Sequence, residues 1–98
     1  MALISKFVVT AIKTGTYTAS WGELVRCDPS GGAFTVNLPT GATNDGRQII
    51  VKNTTTSTNT ITLDPAGGET IDGAATATMT TARQAVRISS DGTNLLVI

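Results

Sequence analysis

A two-residue alternation of apolar and polar side chains runs through most of this chain, and it leaves room for little besides strands. In "AFTVNL" the apolar Phe34, Val36 and Leu38 alternate with Thr35 and Asn37, and in "TITLD" Ile61 and Leu63 alternate with Thr60, Thr62 and Asp64. The same period sets Ala75, Ala77 and Met79 against Thr76, Thr78 and Thr80, and Val86 and Ile88 against Arg83, Ala85 and Arg87. Each such segment is a half-buried strand with one dry face. "RQIIVK" differs, because Ile49, Ile50 and Val51 are apolar on both faces, as expected of a central strand. Residues 5–12, 23–28, 47–53 and 94–98 complete the expected strands, and no window repeats apolar residues at the helical spacing i, i+3, i+4, i+7.

Between the strands stand "DPSGG", "PTGATNDG", "NTTTSTN", "DPAGG", "DG" and "SDGTN", which put Gly, Pro, Asn or Asp where turns require them. Turn signals roughly every 10 residues, with no helical stretch between them, predict an all-β fold: a small antiparallel β-sandwich or barrel, jelly-roll-like, of about eight short strands. Its core is expected to hold Phe34, Val36, Ile49, Val51, Ile61, Leu63, Ile71, Val86, Ile88 and Val97. Cys27 alternates onto the same strand face as Val25, the place of a small buried hydrophobe rather than of a reactive thiol. The expected organisation is an N-terminal strand or arm over residues 1–16 and a single β-sandwich domain over residues 17–98.

With 98 residues, such a domain buries roughly 60 to 65% of the surface its unfolded chain exposes. Its aromatic residues are Phe7, Tyr17, Trp21 and Phe34 alone, so aliphatic side chains must supply the core, and burial against other subunits is the expected supplement. Seven basic and seven acidic residues cancel and are scattered along the chain, a pattern that announces neither nucleic acid nor an anionic membrane as partner. The single Cys27 and the lack of histidine exclude an intramolecular disulfide, a Cys/His metal cluster and a histidine-activated nucleophile. No phosphate-cradling glycine motif occurs, and the apolar run after Lys6 is too short for a secretion signal or a membrane span. No catalytic residue, cofactor, metal or small-molecule ligand is therefore expected.

The stretch "DPAGGETIDGAAT", residues 64–76, sets Asp64, Glu69 and Asp72 among glycines and raises the question of calcium. A calcium-binding nonapeptide repeat needs glycine where this chain has Thr70, and it needs several stacked copies to complete six to eight oxygen ligands. Turn chemistry explains the stretch instead. Asp64-Pro65 and Gly67-Gly68 turn the chain, Ile71 plugs the core, and Asp72-Gly73 suits a two-residue hairpin loop. Asn53 in "NTT" matches the N-glycosylation pattern, a chance match in a chain with nineteen threonines.

The order of these pieces resembles a β-rich module that recurs in bacteriophage virion proteins, in tail fibres and tailspikes and as small head decoration proteins. The likeness covers residues 17–98, through Leu24-Val25 with Asp28, the Gly31–Pro39 strand, Glu69-Thr70-Ile71-Asp72-Gly73 and the closing Ser90-Asp91-Gly92-Thr93-Asn94. Members often carry an aromatic residue after that last motif, where this chain has Leu95. The resemblance implies a structural, non-catalytic virion protein, made in the bacterial host cytoplasm. The small size of the chain favours a capsid decoration, or cement, protein on the head surface, with the major capsid protein as partner and a homotrimer as the working unit. The alternative is a tail-fibre or baseplate module for host-surface glycan recognition. Leu3, Ile4, Phe7 and Val9 of the N-terminal segment, together with Trp21, are the expected capsid or subunit contacts.

Overall fold

The computed structural model describes residues 6–98. Within them the regular structure is entirely strand: β1 (Val8–Val9), β2 (Tyr17–Thr18), β3 (Glu23–Cys27), β4 (Phe34–Asn37), β5 (Gln48–Asn53), β6 (Ile61–Asp64), β7 (Ala77–Met79), β8 (Ala85–Ser90) and β9 (Leu95–Val97). Two sheets result, a five-stranded one in the order β1-β3-β5-β8-β9 and a four-stranded one in the order β2-β4-β6-β7.

The expected antiparallel arrangement is wrong for more than half of the pairings. β1 with β3, β3 with β5, β2 with β4 and β4 with β6 run parallel, whereas β5 with β8, β6 with β7 and β8 with β9 run antiparallel. Neither sheet closes into a barrel, since each has two edge strands. The reason lies in the connections. Parallel neighbours need a crossover that carries the chain back to its starting end, a task usually done by a helix. Here a strand of the other sheet does it: the first six strands alternate between the sheets, so β2 is the return path from β1 to β3, and β3 that from β2 to β4. Short turns and no helix are compatible with this winding as well as with hairpins.

The alternation read from the sequence sorts the side chains as expected. Phe34 pairs with Ile61 and Ile61 with Met79, while Val36 pairs with Leu63, and all five side chains are buried. In the larger sheet Val25 pairs with Val51, and Ile49 with Ile88, again buried. Both sets belong to one core with Ala19, Cys27, Leu38, Ile71 and Leu95. The doubly apolar "RQIIVK" does become the central strand of five, β5. Two expected core residues fall short. Val86 is half-buried, and Val97 is 44% exposed, because β9 is the last strand of five and the opposing sheet has only four. β2 escaped the sequence reading, since two residues carry no period.

Turn chemistry also lands where expected. Asp72 and Gly73 both have positive φ (49° and 82°), and Ile71 and Ala74 exchange two backbone hydrogen bonds of 2.8 Å, which is the two-residue hairpin loop. Asn53 is not a glycosylation acceptor: it is 2% exposed, its Nδ2 donates to Ser57 O at 2.9 Å, and its Oδ1 accepts from Thr55 N and Oγ1.

Two substitutions test this packing. Ile61 is fully buried between Phe34 and Met79, so Ile61→Ala should lower the unfolding free energy by about 2 to 5 kcal/mol in denaturant titration. At Gly41 a β-carbon would lie 2.9 Å from Ser90 Oγ and 3.2 Å from the Asn94 carbonyl. Gly41→Ala should therefore cost about 1 to 3 kcal/mol through overpacking, seen as a lower melting temperature.

Candidate docking face

The outward faces of the two sheets differ in kind. On the four-stranded sheet the outward residues follow one another across the strands as Thr18, Asn37 and Asp64, and as Thr35, Thr62 and Thr78. Not one is apolar, and threonine satisfies both strand propensity and solvent with its branched, hydroxylated side chain. On the five-stranded sheet one outward row runs Val9, Leu24, Ile50 and Arg87, and the next runs Arg26, Lys52 and Ala85. Ile98 joins Ile50, Ala85 and Arg87 around a shallow depression. This face combines aliphatic side chains with three cations, and its strands contribute no outward carboxylate.

Two of those cations are held by backbone oxygens. Arg26 Nε donates to Thr10 O at 2.8 Å, and the Lys52 ammonium donates to Arg83 O. The composition shows a neutral chain, but the fold sorts the charge, bringing Arg26, Lys52 and Arg87 from three separate segments onto one side. No local sequence signal marks this, because the residues lie in β3, β5 and β8.

At one end of this face a hollow of about 280 Å³ is lined by Lys6, Phe7, Trp21, Gly22, Gly46, Arg47 and Gln48. Two expected contact residues, Phe7 and Trp21, thus meet there. Trp21 also packs on the core, and its Nε1 donates to Thr40 O at 2.9 Å. Val9 lies on the edge strand β1, 56% exposed, and Leu3 and Ile4 fall outside the described residues. The sequence reading missed the exposed Val8 and Ile12 on the same edge, together with Leu96 and Ile98 at the far side of the sheet.

The acidic loop is occupied by its own fold. Glu69 accepts from Gly41 N at 2.8 Å and from Thr40 Oγ1 at 2.6 Å, tying the loop over residues 39–46 to the turn at residues 64–70. Asp72 accepts from Val97 N at 3.1 Å. Thr70 N donates to Asn94 Oδ1 at 3.0 Å, and Ser90 Oγ to Gly41 O at 2.6 Å, so the segments of the family-like motifs converge on one corner. Among the described residues no three His, Cys, Asp or Glu side chains gather as a metal site. Cys27 is fully buried and burial pushes its thiol up to about 11, which keeps it protonated and inert.

Comparison with known proteins gives one informative likeness. No family model matches the chain. The chain is 40% identical over 63 residues to baseplate wedge protein gp10 of Enterobacteria phage T4, a match that covers 61% of this chain and 10% of that protein. This chain therefore spans about a tenth of the length of that relative. The likeness supports the broad part of the family resemblance, a structural protein of a phage virion, and it lends no support to a place on the capsid.

The Glu69 clasp has a pH signature. The Gly41 N–H first, and the Thr40 hydroxyl second, hold the Glu69 carboxyl below its ordinary 4.5. A carboxyl depressed in the folded state stabilises the fold fully above its unfolded pKa and loses that contribution as pH falls through the lower folded value. The melting-temperature gap between the wild type and Glu69→Gln should thus be widest above pH 4.5 and shrink on acidification.

Proposed function

We propose that this chain is a structural module of a bacteriophage tail baseplate, which docks to neighbouring virion proteins through the outward face of its five-stranded sheet and carries out no catalysis. The similarity to a baseplate wedge protein is the observation that carries this reading. It supports the tail alternative over the capsid decoration protein that the size of the chain favoured. The asymmetry of the faces supports docking as the mode of action: a threonine-rich side suits solvent, whereas an aliphatic, cationic side leaves apolar surface in water until a partner covers it.

Host-glycan recognition is a weaker form of the same alternative. Trp21 spends its indole N–H on Thr40 and part of its ring on the core, which leaves little of it for stacking on a sugar.

Separation of heads from tails, followed by mass spectrometry of each fraction, tests the proposal. The chain should be found with tails. Its presence on purified heads and absence from tails would restore the decoration reading.

A further inference from the structure

The two edges of the five-stranded sheet are treated differently. At β9 the outer side is closed: Leu95 N donates to Thr70 O at 2.9 Å, Asp72 N donates to Leu95 O at 3.0 Å, and the Asp72 carboxylate takes Val97 N at 3.1 Å. These contacts satisfy groups that would otherwise template another strand. At β1 nothing comparable is found among the described residues. Val8 N and Thr10 N donate inward, to Gly22 O at 2.8 Å and Leu24 O at 3.1 Å. By strand alternation, the N–H and C=O of Val9 between them point away from β3, and no described strand lies on that side. The edge is also apolar, with Val8, Val9 and Ile12 exposed by 67%, 56% and 49%.

We propose that β1 accepts an added strand from another protein, and that the incoming segment is extended and rich in carboxylates. Backbone pairing at Val9 would hold it, and side-chain recognition would come from the strand's cationic surroundings. Arg26, on the strand next to β1, lays its guanidinium toward β1, its Nε donating to Thr10 O at 2.8 Å. A carboxylate on a strand added beside β1 would meet the N–H groups of that guanidinium which Thr10 leaves free. Just beyond β1 the backbone of Lys13 bridges to Cys27, and its ammonium rests 4.2 Å from the Tyr17 ring centroid. A second copy of this chain fits less well, because joining two β1 edges would extend one cationic face into another. The inference concerns this edge alone and goes beyond the tail assignment, so it stands or falls separately from it.

The test uses the whole chain and a blocked heptapeptide of alternating glutamate and valine as probe, followed by amide chemical shifts and titration calorimetry. The peptide should shift the amides of residues 8–12 first, bind more weakly as salt rises, and bind better than its lysine-valine counterpart. Val9→Pro removes only an outward N–H, a change that sheet edges tolerate, and should weaken binding roughly tenfold, the order of one hydrogen bond and its alignment. Because a proline variant can misfold, Arg26→Gln, which removes the charge laid toward β1, serves as a second probe and should also weaken the glutamate peptide. Absence of binding, equal binding of both peptides, or shifts centred on β2 or β7 would overturn the proposal. Sedimentation showing a dimer that Val9→Pro abolishes would overturn it too, in favour of a second copy as the occupant.

Discussion

Parallel neighbours in a sheet require the chain to return to its starting end, and in this protein each return is made by a strand of the opposite sheet. That single constraint couples the two sheets from the beginning. β2 lies in the chain between β1 and its neighbour β3, and β3 lies between β2 and its neighbour β4. Every crossing also carries an alternating strand, so the inward residues of both sheets are delivered to one core turn by turn. The antiparallel additions, β7 on one sheet and β8 with β9 on the other, come last in sequence and extend both sheets beyond the wound part.

The crossings place the loops as well. The segments over residues 39–46, 64–72 and 90–94 meet at one corner, where Gly41 is wedged against Ser90, Leu95 and the Asn94 carbonyl. Glu69 clasps the first of these segments and Asp72 caps the edge of β9. Three carboxylates in a glycine-rich stretch resemble a cation site on paper. In the fold, Glu69 and Asp72 are acceptors for backbone amides that the strands leave over, a need that arises wherever a sheet ends near solvent. The capping that closes β9 contrasts with the β1 edge, where no such contact is found among the described residues.

The proposed docking role rests on what the winding leaves outside. One outward face is all threonine, asparagine and aspartate, and the other is aliphatic with Arg26, Lys52 and Arg87. A module with one wet and one sticky side is suited to sit within an assembly, in keeping with its likeness to part of a baseplate wedge protein. The aliphatic core is nonetheless fully formed within one chain, with Val25, Val36, Ile49, Val51, Ile61, Leu63, Ile88 and Leu95 at 0% exposure.

The sequence by itself determined the strands, their inward faces and the turns, because these depend on period and on local backbone preferences. Phe34, Val36, Ile61 and Leu63 are buried by their alternation, and Asp72-Gly73 turns because its two positions need positive φ. Pairing direction was not legible. A short turn between strands reads alike whether the next strand lies beside the last or across from it, and only packing two sheets around one core separates the cases. Partner choice also set burial at the rim, where Val97 alternates inward yet stays exposed on the last strand. The cationic face and the open edge were invisible for the same reason. Arg26, Lys52 and Arg87 become neighbours, and Val9 comes to face away from β3 with no outer partner among the described residues, only through long-range pairing among β1, β3, β5 and β8, which no local stretch of sequence encodes.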